Sequence, residues 1–265
     1  MIHPIGDFTR RILFVLCIVC IVTIAAGFGV PVSAGSPTYV TKWGMSGNAN
    51  GQLSLPAGVA VSPTSGNVYV ADTYNHRIQE FTSTGSFVTE WGSDGSGDGQ
   101  FHYPSYLAVS PAGNVYVTDH SHNRVQVFTS SGAYVTQWGS YGSGEGQFSG
   151  PAGIAISSDG TVYVVDNNNR RVEKFTLSGA YVGMFGSSGS TNGQLYNPQG
   201  IAIGPNGNIY VVDAGNSRIE ECTASGTYVT NGGYSGSADG LFSSPQGIAV
   251  DAAGHVYVAD TANHR

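Results

Sequence analysis

The chain has 265 residues, of which 10% are charged, 39 are Gly and 15 are Tyr, and its net charge at pH 7 is −7. An acidic chain with no basic stripe is a poor match for a phosphate backbone, whose binding depends on Lys and Arg displacing counterions, so no nucleic-acid partner is expected. Much Gly and little charge describe a chain of many turns with a polar surface, long enough for one large all-β domain or two small ones.

Arg10 and Arg11 precede an apolar run from Ile12 to Ala26. Gly27, Gly29 and Pro31 then break any helix, and Val32, Ser33 and Ala34 offer small residues for cleavage. Residues 1–34 therefore read as a secretory signal peptide. The expectation is an exported protein, extracellular or at the cell surface, with no membrane span after cleavage. An uncleaved anchor is the alternative, because Ile12 to Val30 is 19 residues. Removal of the leader takes Cys17 and Cys20 with it and leaves Cys222 alone, so no internal disulfide is expected. The remaining chain has 8 basic and 16 acidic residues.

Beyond the leader the chain repeats. Asp72, Asp119, Asp166, Asp213 and Asp260 are spaced by 47 residues, and so are Arg77, Arg124, Arg171, Arg218 and Arg265. Pro56, Pro104, Pro151, Pro198 and Pro245 keep the same period with one extra residue in the first unit. Within the third unit, strand a is Gly153 to Ile156, strand b is Thr161 to Val165, strand c is Arg171 to Phe175 and strand d is Ala180 to Phe185. Tight Gly-bearing turns join a to b and c to d. Four antiparallel strands in a unit of this length are the signature of a β-propeller blade. The blades are 56–92, 104–139, 151–186 and 198–233, with a partial fifth at 245–265 and a lone N-terminal strand at 39–44. In a closed ring that strand would complete the last blade, leaving strand c missing. The expected fold is all-β: a propeller domain over 35–265 with four complete blades and a partial fifth, a truncated six-bladed ring.

Asp72, Asn75, His76 and Arg77 look like an active site. One active site does not recur at a fixed period, so the Asp-x-x-Asn-x-Arg pattern reads as a structural device. The Asp would accept backbone N–H bonds in the following turn, and the Arg would bind that Asp or the neighbouring unit through its planar fork.

"NVYVADTYNHRIQEF" and "HVYVADTANHR" resemble the NHL repeat, and "GQFSGPAGIAI" resembles the family's usual approach to strand a. The resemblance covers residues 39–265. It implies a propeller, usually of six blades, in a family with sensor, scaffold, RNA-binding and lyase members.

Alternating strand direction puts the b–c and d–a links on one face and the short hairpins on the other. Ligand residues belong on the long-loop face, at positions that vary between units. In the b–c turns the candidates are Tyr74, His76, His120, His122, Asn168 and Arg170. In and after the d–a links they are His102, Tyr103, Tyr106, Tyr141, Tyr196 and Gln199. Tyr106 stands where other units carry Gly58, Gly153, Gly200 and Gly247, which would let it fill part of the channel mouth.

His76, His102, His120 and His122 could bind Zn if they converged, but b–c turns lie far from the axis. The segment Asp94-Gly-Ser-Gly-Asp98-Gly99 resembles half a Ca²⁺ loop without its closing Glu. No cofactor is expected, with Ca or Zn as the exceptions to test. Cys222 aligns with Phe81, Phe128 and Phe175 and reads as a small core residue. The sequence leans away from an enzyme and towards a binding scaffold for a protein or glycan on the loop face. A metal-dependent lyase or hydrolase with a site at the channel is the alternative.

Overall fold

The computed structural model describes residues 41–265. The predicted signal peptide and the first residues of the N-terminal strand lie outside them. Two short strands, β1 (Met45–Ser46) and β2 (Gln52–Leu53), pair in parallel within one loop. Blade 1 follows as β3 (Val59–Val61), β4 (Val68–Asp72), β5 (Arg77–Phe81) and β6 (Phe87–Trp91). Blade 2 is β7 (Pro104–Val109), β8 (Val115–Asp119), β9 (Arg124–Phe128) and β10 (Tyr134–Trp138). Blade 3 is β11 (Pro151–Ile156), β12 (Val162–Asp166), β13 (Arg171–Phe175) and β14 (Tyr181–Phe185). Blade 4 is β15 (Pro198–Ile203), β16 (Ile209–Asp213), β17 (Arg218–Cys222) and β18 (Tyr228–Gly232). The fifth unit holds β19 (Ile248–Val250) and β20 (Val256–Val258). Each full blade is a four-stranded antiparallel meander, as the repeat predicts.

Strands b and c of blades 1 and 2 are buried along their whole length, while every strand d alternates between half-buried and exposed positions or nearly so. Burial on both faces explains the Val- and Ile-rich b strands, and the alternation marks d as an outer edge. The core lies between blades rather than within them. Tyr69, Ala71 and Ile78 of blade 1 pack with Phe101, Leu107, Val117 and Phe128. Tyr116, Val125 and Val127 of blade 2 pack in turn with Ile154, Val162, Val164 and Phe175. A single blade would leave these faces in water. Burying one such side chain is worth about 1.5–3 kcal/mol, so neighbouring blades stabilise each other.

Aromatic rings fasten the outer rim. Trp91 lies against Phe128 at 5.8 Å and Trp138 against Phe175 at 5.7 Å. The same rings explain the Gly of each c–d turn: a Cβ on Gly132 would meet Trp91 at 2.7 Å, and one on Gly179 would meet Trp138 at 2.6 Å. Tyrosines on strand b reach the next blade's c–d turn, with Tyr69 Oη donating to Ser130 O (3.1 Å) and Tyr116 Oη to Leu177 O (3.0 Å). Tyr210 Oη donates to Glu221 of its own blade.

The N-terminal segment departs from expectation. Residues 41–44 are irregular, and among the described residues the sheet of the fifth unit contains β19 and β20. Trp43 instead lies on Phe81 at 4.6 Å, in the place that Trp91 takes on the next blade.

Candidate functional site

The repeated Asp ends strand b with its carboxylate fully buried. Asp72 Oδ1 accepts the N–H of Ser54, and Oδ2 accepts from Asn75 Nδ2, Arg77 Nε and Gln79 Nε2 at 2.8–2.9 Å. The backbone donor comes from the end of the d–a link, not from the following turn as the sequence implied. The b–c turn is too tight for its own N–H groups to point back, and its left-handed His76 closes it onto Thr73 O. Arg77 joins both partners foreseen for it, Asp72 and the loop carbonyls of Ala49 and Gln52. The geometry recurs at Asp119–Arg124, Asp166–Arg171, Asp213–Arg218 and Asp260–Arg265. These ten residues brace the loop face.

Arg124 also explains the segment that resembles a Ca²⁺ loop. Its guanidinium donates to the carbonyls of Ser96, Gly97 and Gln100. The loop's convergent carbonyls thus already face a cation, a protein one.

Beside each pair sits a buried side chain that the sequence reading passed over. Gln79 accepts from Gly51 N and donates to Gln52 O, and Gln126 makes the same bonds to Gly99 and Gln100. Blades 3 and 4 carry Glu173 and Glu220 here. Glu173 Oε2 accepts from Gly146 N, while Oε1 lies 2.6 Å from Arg171 Nη2 without hydrogen-bond alignment. Burial pushes the Glu173 carboxyl up to about 7, against the pull of Arg171, and Glu220 moves in the same direction for the same cause. Cys222 is buried, its thiol pushed up to about 12 by burial and by Glu220.

A cavity of about 310 Å³ opens on this face. The residue after the repeated Pro lines it in all five units: Ala57, Ser105, Ala152, Gln199 and Gln246. Tyr74, Tyr103, Tyr106 and His120 complete much of the wall. Tyr106 fills part of the mouth. Its hydroxyl reaches from blade 2 to Gln246 O of unit 5 at 3.4 Å, and burial pushes the phenol up to about 12. The Gly positions of three other units have no room for such a group. A Cβ on Gly153 would stand 2.4 Å from Gln199 O, and one on Gly200 2.5 Å from Gln246 O.

The remaining candidates fall into three groups. Asn168 donates to Ser149 Oγ and approaches His120 over Gly150. Arg170 stacks on Tyr196 at 4.5 Å, and Tyr141 stands alone and exposed. His76 and His102 stack with ring centroids 5.0 Å apart, and His122 lies 6.0 Å from His102. Asp94 sits among them, its carboxyl held below the usual range by the His102 hydrogen bond, against slight desolvation and with the fields of all three histidines. Among the described residues His120 is the single histidine lining the channel cavity. The histidines therefore do not converge on the axis.

Fold and face together define a β-propeller. It carries NHL repeats: the NHL repeat profile matches residues 53–81, 195–220 and 242–265, and a profile described as a 6-bladed beta-propeller matches 109–185. No curated protein matches the sequence. Solved structures share the fold. A streptogramin B lyase is 18% identical with a TM-score of 0.61, over 83% of this chain and 66% of that one. An auxiliary nutrient binding protein from Bacteroides thetaiotaomicron is 16% identical with a TM-score of 0.63, over 80% and 58%. A nidogen/laminin complex is 17% identical with a TM-score of 0.59, over 82% and 80%. This chain thus spans less than two thirds of the lyase and the nutrient binding protein. Among the described residues no helix is long and apolar enough to cross a membrane.

Proposed function

We infer that this protein is an exported or cell-surface propeller that binds a ligand at the channel mouth on its loop face and performs no chemistry on it. The cavity carries the reading: all five units contribute to it, each with the residue after its repeated Pro, and no Asp, Glu, Lys or Arg lines it. Tyr faces with Gln, Ser and Thr groups suit a neutral ligand rich in hydroxyls or amides, a glycan or a protein loop, because aromatic area binds with little loss of side-chain freedom. Propellers among the similar structures include a nutrient binding protein and a nidogen/laminin complex, which is compatible with a scaffold role.

The test is a glycan array with calorimetry on the hits, comparing the wild type with Tyr106→Gly and Tyr103→Ala. Each substitution should weaken binding by about tenfold or more while leaving the melting temperature within a few degrees. Unchanged affinity in both variants, or ligand turnover by the wild type, would overturn the reading.

A further inference from the structure

The geometry points to a second site: His76, Asp94 and His102 form a binding site for a divalent first-row transition metal of the Zn²⁺ class, at the junction of blades 1 and 2. One ligand atom from each residue lies within 4.8 Å of the other two. Asp94 Oδ1 is 2.8 Å from His102 Nδ1 and 3.8 Å from His76 Nδ1. Ligands about 2.0–2.1 Å from a tetrahedral Zn²⁺ stand roughly 3.3 Å apart, so shifts of about half an ångström bring both pairs to bonding positions. Two imidazoles and a carboxylate match the borderline softness of Zn²⁺ and its open three-ligand sites.

The repeat supplies an internal control. The equivalent positions at the other described junctions carry other residues. They are Asn123, Tyr141 and Ser149 at the next, then Arg170, Ser188 and Tyr196, then Ser217, Ser235 and Ser243. Contact between them is visible where Arg170 stacks on Tyr196 and hydrogen bonds Ser188. The blade therefore needs none of the three ligand types at these places. All three coincide at one junction of four.

The site is also open. His76 Nδ1 accepts the N–H of Tyr103 at 3.3 Å, a long bond where Asn123 Oδ1 takes the N–H of Gly150 at 2.8 Å, and ligation through Nδ1 replaces it. Asp94 and His102 are exposed, with 64% and 40% of their side chains in solvent. Ligation by both imidazoles asks the exposed His102 ring to turn out of its near-parallel stack on His76. None of the three lines the channel cavity, whose Tyr103 packs on both histidine rings, so the metal titration and the channel assay are read on separate variants.

The experiment is a calorimetric titration of the untagged full chain with Zn²⁺, repeated with Co²⁺ and followed by visible absorption. Variants take the residues that other junctions carry: His76→Asn, Asp94→Ser and His102→Ser, singly and together. The wild type should bind one equivalent with the absorption bands of low-coordinate Co²⁺. Each single change should weaken binding at least about tenfold, since even the loss of a ligand's supporting partner does so. Wild-type affinity no higher than that of the triple variant, or single variants indistinguishable from wild type, would overturn the proposal. Circular dichroism melts show that the variants are folded.

Discussion

The Asp of each unit is buried and bonded from several sides, and the charges around it set two expectations. Asp166 receives Ser149 N, Asn169 Nδ2 and Arg171 Nε. Asp166→Asn keeps the shape but removes the charge that Arg171 faces, and breaking a buried pair in this way costs about 3–5 kcal/mol. Guanidinium unfolding should show a loss of that size. Glu173→Gln should act the other way. The folded Glu173 carboxyl is raised to about 7 from an ordinary 4.5. Its contribution is therefore whole below 4.5 and is lost as pH rises towards 7, a loss of about 3 kcal/mol. The Gln that blades 1 and 2 carry removes that dependence, so the variant should be more stable than the wild type at pH 8 and similar at pH 4. Equal stability at both values would refute the argument. The Asp and Arg were legible in the sequence because they recur. The Gln/Glu position was not, because its identity changes between units and its role depends on which loop amide lies opposite.

At the level of the element, strand boundaries came through almost unchanged, since period-two patterning and Gly turns act locally. The third blade was expected at Gly153 to Ile156, Thr161 to Val165, Arg171 to Phe175 and Ala180 to Phe185, and it lies within two residues of those limits. Legibility failed at residues 41–44, where a strand-like sequence is irregular. The inner glycines offer a test of packing against conformation. Gly153→Ala drives a Cβ into a backbone oxygen and should cost about 2–3 kcal/mol. Gly207→Ala meets nothing within 4 Å but has a φ of +79°, and should cost about 1 kcal/mol. Denaturant midpoints of the two variants would separate the causes, and equal costs would count against the close strand approach.

For the whole molecule, the sequence disclosed the repeat, the two faces and the place of Tyr106 at the channel. It did not single out Gln246 or Ala57 as wall residues, although a signal was present: both follow the repeated Pro. It grouped His76 with His102, His120 and His122 but did not bring Asp94 to them, because residues 18 and 26 positions apart (His76, Asp94, His102) meet only once the blades are set side by side. One feature of this assembly reaches beyond binding. Apart from the Tyr106 hydroxyl on Gln246 O, the ties described between blades, Trp on Phe and Tyr to a turn carbonyl, link a blade to its immediate neighbour. Such a molecule should come apart as a duplex frays, from an end inward, with partly open states populated before the whole chain unfolds. Deuterium uptake should then rank by position rather than by strand type. The amides of β19 and β20 would exchange first and those of β12 and β13 last, and a single uniform rate would mean that the blades open together.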